Sequence, residues 1–169
     1  YSGYKKCHSI KFQAIMIPDG IISCLAGPWF GKDRDWKMYI YLGLEKHLRE
    51  INQGTEPDEH CYLYGNPAYA LLHGIVRRYR AIVGLPLNPV IKVMNTHMSS
   101  MRVSVEYGFG KTMNLWSFNR FKGSLKSGLL SVTGYFLVAV LFSNIHSCFH
   151  RNETCTHLHC NPPLLSSYL

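Results

Sequence analysis

Pro18-Asp19-Gly20 separates two apolar runs near the start of the chain, and no other local feature constrains the fold as much. The run before it, residues 5–17 (KKCHSIKFQAIMI), alternates in part and is rich in Ile and Phe, the pattern of a strand. The run after it, residues 21–25 (IISCL), reads as a second strand. Pro presets φ, Asp bonds its own turn and Gly accepts φ > 0, so the three residues reverse the chain. An antiparallel hairpin is expected, broken at Gly27-Pro28.

Helical and extended segments follow in alternation. Asp33 and Asp35 precede residues 36–51, where Met38, Leu42, Leu44, Leu48 and Ile51 fall near helical spacing, and an Asp suits the N-cap. Residues 52–59 are a polar loop. Residues 61–64 are a short apolar strand ending at Gly65-Asn66-Pro67, and residues 67–80 are loop and helix. Pro86 and Pro89 exclude regular helix from 84 to 90. A helix is expected from Asn95 to about Phe109, capped by Asn95 or Thr96, with Met98, Met101 and Val105 as its apolar face. Residues 125–145 read as a final buried helix. Its apolar stretch, Leu129–Phe142, contains Ser131, Thr133 and Gly134 and is too short to span a bilayer comfortably. Strand, strand, helix, strand, helix, helix is a mixed α/β order. Position 66 falls at the carboxyl end of a strand, where open α/β sheets bind ligands.

Charge narrows the partner class. The chain has 169 residues, fitting one domain, and 47% hydrophobic residues against 17% charged exclude wholesale disorder. Residues 1–60 carry eight basic and eight acidic side chains. Residues 61–169 carry ten basic ones against only Glu106 and Glu153, so the whole net charge of +8 lies there. A polyanion is the expected partner, nucleic acid first and an anionic membrane surface second, against the plain alternative of a soluble basic surface.

The six cysteines are Cys7, Cys24, Cys61, Cys148, Cys155 and Cys160. With no signal peptide in view, reduced thiols are expected. Cys148, His150, Cys155, His157, His159 and Cys160 have the right atoms for zinc, but their spacing matches no zinc knuckle. Residues 148–169, with Pro162-Pro163, are expected to form a loosely ordered Cys/His-rich tail.

Four pieces stand in a characteristic order: YSGYKKCHSIKFQ at 1–13, GKDRD at 31–35, LYGNPAY at 63–69 and NTHMSSMRVSVEYGFG at 95–110. Together they resemble the catalytic domain of the Harbinger-type (PIF-like) transposases among the DDE superfamily endonucleases. That family's versions look like YSGHKR-x-H-x-x-KFQ, G-x-x-H-D, L-x-GD-x-x-Y and N-x-x-x-S-x-x-R-x-x-VE-x-x-FG. Leu137–Cys148 also resembles the family's closing helix with its Asn-x-x-x-Cys ending. The likeness runs over residues 1–147, which it marks as the endonuclease domain.

The resemblance implies an RNase H-like fold, a mixed sheet flanked by helices. It implies an active site of two Asp and one Glu holding two Mg²⁺ or Mn²⁺ ions for cleavage and strand transfer on DNA. Carboxylates are hard oxygen ligands suited to these ions. Two such ions activate a water or a 3′ hydroxyl and stabilise the leaving oxygen in an in-line displacement. Glu106 matches the catalytic Glu and a metal ligand. Arg102 stands one helical turn earlier and matches the Arg of the pattern, implying phosphate contact or orientation of the carboxylate. The plain alternative is an i, i+4 surface ion pair worth about 0.3–0.5 kcal/mol.

Two departures accompany the likeness. Asn66 stands where the pattern has its second catalytic Asp, and an amide offers a neutral oxygen that binds a hard cation less well. The first catalytic Asp belongs to a segment upstream of YSGYKK, so the domain is expected to lack its first strand. Asp35 is an auxiliary candidate, with a helix cap as its plain role. Lys5, Lys6, Arg77, Arg78, Arg102 and Lys111 are candidate phosphate contacts, and Arg80, Lys92, Arg120, Lys122 and Lys126 extend the basic set. Trp116, Phe118 and Phe121 suit base stacking or core packing.

The chain is therefore expected to be a truncated, catalytically impaired transposase copy, acting in the nucleus on DNA with a separate DNA-binding accessory protein and no membrane. The alternatives are a non-catalytic DNA-binding or protein-interaction module on the same scaffold, and a decaying reading frame that no longer folds.

Overall fold

The computed structural model describes residues 9–66, 69, 72–82, 84–120 and 131–169. The chain is mixed α/β, with two-stranded sheets and a large helical share, compatible with an RNase H-like domain. It divides into two compact units: residues 1–10 with 29–102, and residues 11–28 with 103–169.

The hairpin forms as the turn chemistry dictates, from β1 (Ile10–Met16) and β2 (Ile22–Phe30). The turn closes through Ile17 N–H to Ile21 O at 3.1 Å and Gly20 N–H to Ile17 O at 3.0 Å. Asp19 Oδ1 accepts from Ile21 N–H at 3.1 Å, the Asx bond expected of an Asp in a turn. Gly27-Pro28 does not break the second strand, which runs on to Phe30 through a cis peptide. Gly27 has φ +148° and lies flush on β1, where an added Cβ would stand 2.9 Å from Lys11 O and 2.7 Å from the Phe12 ring. Glycine is what lets the pairing continue there.

In the first unit, the single helix expected over 36–51 is two: α1 (Asp35–Tyr41) and α2 (Leu44–Ile51). Gly43, at φ +63°, breaks the helix between them. Met38, Tyr39, Leu44 and Leu48 supply this unit's buried apolar side chains. Asn52 closes the loop after α2, donating to Cys61 O at 3.0 Å and accepting from Cys61 N–H at 2.7 Å. β3 (Leu63–Tyr64) pairs in parallel with β4 (Ile75–Val76), in the register Leu63 to Ile75 and Tyr64 to Val76. The helix expected within 67–80 is absent from the described residues there, which form a turn, β4 and irregular backbone.

α3 (Pro89–Leu115) is longer than expected and begins on Pro89, a residue suited to a first helical turn. Asn95 is not its cap. It is a buried mid-helix residue that accepts from Tyr79 N–H at 2.9 Å and donates to Tyr79 O at 3.0 Å. The expected Met98–Met101–Val105 face is not the buried one, and Met101 is 44% exposed. The second unit instead buries Ser104, Gly108 and Thr112, four residues apart on one face. These small side chains admit a close neighbour, and the Met16 methyl of β1 sits against Gly108.

The second unit's core joins Ile22, Phe136 and Val140, with Phe12, Met16, Leu25, Phe109 and Met113 packed around them. Phe136 belongs to α4 (Val132–Phe149), which runs past the expected end at 145; the expected start, residues 125–130, lies outside the described residues. At 18 residues and mean hydropathy 1.5, α4 is long and apolar enough to cross a membrane by length and composition alone. One stripe of it, Phe136, Ala139, Val140, Ser143, Asn144 and Ser147, is buried. The polar members of that stripe bond within the protein, as befits a core helix: Trp116 Nε1–H donates to Ser143 Oγ at 3.0 Å, and Lys111 Nζ to Ser147 Oγ at 2.8 Å. Trp116 and Phe118 pack on α4, against Phe142 and Tyr135, but Phe118, Phe142 and Tyr135 are exposed, so these ring contacts lie at the surface; Phe121 lies outside the described residues.

The segment after Ser147 contains two short helices, α5 (Glu153–His157) and α6 (Leu165–Tyr168). Asn152 caps α5 by accepting from Cys155 N–H at 3.0 Å and also donates to Gly20 O at 2.8 Å. Cys155 is fully buried and donates its thiol to Asp19 O at 2.8 Å. Among the described residues no cluster of three His, Cys, Asp or Glu is placed to hold a metal, the Cys/His-rich segment included.

Candidate active site

The sequence candidates fall in both units. Asp35 and Asn66 belong to the first, Glu106 and Lys111 to the second. Arg77, Arg78 and Arg102 belong to the first; Lys5 and Lys6 lie outside the described residues.

In the first unit, Leu63 N–H donates to Gly74 O at 2.8 Å and Gly65 N–H to Val76 O at 3.0 Å, so β3 stays paired until the residue before Asn66. Asn66 is thus presented just past the carboxyl end of a parallel strand, half-buried, with its carbonyl accepting from Tyr69 N–H at 3.1 Å. The Tyr69 ring lies over Gly65, 3.0 Å from where a Cβ would stand, so a side chain there would push the ring off the turn. Arg77 Nη1 donates to Tyr69 O at 3.4 Å, tying the basic segment after β4 to the same turn.

Asp35 is not an N-cap. It is the first residue of α1, preceded by Arg34 at the cap position, and no side chain caps the helix. A carboxylate in a first turn still faces the positive end of the helix dipole. Capping of another kind falls to Asp33, whose Oδ2 accepts from Phe30 N–H at 3.0 Å while its own N–H donates to Phe30 O at 2.9 Å. Asp35 does act on the Asn66 turn. Burial first, and the negative charge of Asp35 second, push the Tyr69 hydroxyl up to about 12. Tyr69 is the residue whose role the sequence left unread, although the L-x-GD-x-x-Y pattern contains it.

In the second unit, Glu106 is an exposed residue of α3 at the edge of a cavity of about 450 Å³. The same cavity is lined by Lys111 and Tyr107 of α3, by Asn144 and His146 of α4, and by Arg151. Lys111 is half-buried, and desolvation lowers its pKa, partly countered by Cys155 and Cys148. Desolvation also lowers the pKa of His146, assisted by Lys111 and His150. Arg102 precedes Glu106 by one helical turn on α3, and Arg78 is exposed after β4.

A glycine turn at a strand end, a helical Glu and a basic set stand in this order, and comparison of the chain with family models decides which family they belong to. The description DDE superfamily endonuclease matches residues 1–144. The chain belongs to the DDE superfamily endonucleases. No curated protein and no solved structure matches it. Membership makes this a transposase-like nuclease domain, a kind of enzyme that generally uses divalent metals and acts on DNA. The endonuclease match ends at Asn144, the α4 residue that holds β2. The donors present do not fit a two-cation centre: Asn66 contributes a neutral oxygen in place of a carboxylate, and no cluster of metal-binding side chains occurs among the described residues.

Proposed function

We propose that this endonuclease is a Harbinger-type (PIF-like) transposase domain, catalytically impaired, that keeps its affinity for DNA. One observation carries the reading: position 66, just past the carboxyl end of β3, holds an amide where the family pattern has its second catalytic Asp. Cleavage by two metal ions needs several anionic oxygens to hold two hard cations close together. Of the pattern's carboxylates the chain carries Glu106, a proposed metal ligand for Mg²⁺ or Mn²⁺, with Asp35 as a proposed auxiliary beside the Asn66 turn.

What the chain retains is charge. Lys5, Lys6, Arg77, Arg78, Arg102 and Lys111 are proposed to contact phosphates without reading sequence. The domain is proposed to span residues 1–147, with 148–169 packed on it as an appended segment. Sequence-specific targeting is assigned to a separate DNA-binding partner, in the nucleus and away from membranes.

The same amide favours the second reading, a non-catalytic DNA-binding or protein-interaction module. Fluorescence anisotropy on two unrelated duplexes at stepped salt tests what both DNA readings share. Affinity should be equal for the two duplexes and should fall steeply as salt rises. Absence of binding at low salt contradicts both and leaves the protein-interaction module.

A further inference from the structure

We infer that the cavity of the second unit is a binding site for a single nucleotide, holding its phosphate on Lys111 and His146 and its base on Tyr107. This goes beyond the metal-dependent reading, since neither Glu106 nor Asn66 has a part in it.

The cavity's volume, about 450 Å³, lies within the roughly 300–1,000 Å³ usual for small-molecule sites. Several of its polar groups are already bonded within the protein. Ser143 Oγ accepts from Trp116 and donates to Ala139 O. Ser147 Oγ accepts from Lys111 and from Asn152 and donates to Ser143 O. The Asn144 amide is spent on Ile22 and Tyr168.

Two groups keep capacity to spare. Lys111 has three donors, of which the bond to Ser147 uses one. His146 Nδ1 is buried with no hydrogen-bond partner among the described residues. Both line the cavity, and each is close enough for Lys111 to depress the basicity of the imidazole. The Lys111 ammonium, with two donors left, and the neighbouring buried imidazole N of His146 both lack solvent, and an anion with several oxygens such as a phosphate group would complete the ammonium's hydrogen bonds and can share a proton with the imidazole. Arg151 adds a further cation at the lining. The two carboxylates of the lining, Glu106 and Glu153, are exposed, whereas Lys111 is half-buried.

Tyr107 supplies the second half of the site. It lines the cavity with 48% of its surface open. It precedes Lys111 by four residues, so the two side chains rise from one face of α3, about 6 Å apart at their Cβ atoms. A ribose bridges such a gap between a stacked base and its phosphate. Aromatic stacking of this kind tolerates any base.

The test uses the full chain and three phosphate probes in calorimetric titrations: inorganic phosphate, a nucleoside monophosphate, and a short oligonucleotide with a 5′ phosphate, compared with the same oligonucleotide ending in a hydroxyl. The nucleoside monophosphate should bind more tightly than inorganic phosphate. Lys111→Gln should weaken every phosphate-bearing probe about tenfold or more, the loss of a charge-assisted contact. Tyr107→Ala, at an exposed position, should weaken the nucleotide and leave inorganic phosphate unchanged. Tighter binding of the phosphorylated oligonucleotide than of the free nucleotide assigns the site to strand ends. The reverse order assigns it to free nucleotides, and both uphold the site. No nucleotide binding by the wild type, or equal binding by Lys111→Gln, overturns it. Duplex affinity of the wild type, measured in parallel, stays intact in that event if the DNA-binding reading is sound.

Discussion

Asn144 of α4 grips the backbone of Ile22 at both ends, accepting from its N–H at 3.0 Å and donating to its carbonyl at 2.9 Å. Ile21 pairs toward β1 through Ile17, so Ile22, the next residue, turns its polar groups to the other edge of β2. The amide therefore takes the place a further strand would hold and covers an edge that is otherwise prone to association. Asn144→Leu strips both partners from a buried amide and carbonyl and should cost about 2–4 kcal/mol. Asn144→Asp keeps the acceptor but loses the donor, so it should fall between wild type and Asn144→Leu. Urea denaturation followed by circular dichroism checks the order. Equal stability of all three proteins contradicts the role.

Asn95 holds Tyr79 in the same two-bond manner within the first unit. In the sequence Asn95 has the look of a helix cap, because Asn favours caps and no local pattern shows a partner 16 residues back. Elements were legible where period and turn chemistry are local: the hairpin, the strand before Asn66, and the long helices. The break at Gly43 was missed because apolar spacing carries across it. The buried face of α3 was missed because it is made of small residues chosen for closeness to Met16, which period alone does not reveal. The bonds Cys155 to Asp19 and Asn152 to Gly20 join residues more than 130 apart, which no local pattern reveals. Of the proposed site, position 66 and Glu106 are assigned from the family pattern, while Tyr69 and the spare capacity of Lys111 and His146 needed the fold.

Two glycines of the second unit should respond oppositely to alanine. Gly27 has φ +148° and abuts the backbone of β1, so Gly27→Ala should destabilise by about 2–3 kcal/mol. Gly110 sits in α3 with nothing within 4 Å of an added Cβ, so Gly110→Ala should stabilise by about 0.5–1 kcal/mol. Thermal melts of the two variants against wild type decide the matter, and a shared sign contradicts the packing described.

Tyr69 should ionise late, near 12. A hydroxyl pKa raised above its unfolded value of 10 gives stability that is present below pH 10 and lost as pH climbs from 10 through 12. Asp35→Asn removes a charge that raises this value, so it should move the Tyr69 titration downward, toward but not to 10, because burial remains the larger cause. Ultraviolet difference titration, with Tyr69→Phe to assign the transition, reads both. No shift in Asp35→Asn would separate Asp35 from the Asn66 turn.

Arg78 is exposed after β4, and a phosphate contact there is independent of sequence. Arg78→Ala should weaken binding to two unrelated duplexes equally and reduce the slope of log affinity against log salt by about 1. A loss confined to one duplex would mean that Arg78 reads bases.

The central claim is that an amide at position 66 leaves a DDE endonuclease fold unable to cleave. Nicking of supercoiled plasmid DNA by the purified chain, in Mg²⁺ and in Mn²⁺, tests it most directly. The account predicts no nicking above a metal-free control, with DNA binding intact on the same samples. Robust nicking that disappears in Glu106→Ala would contradict it.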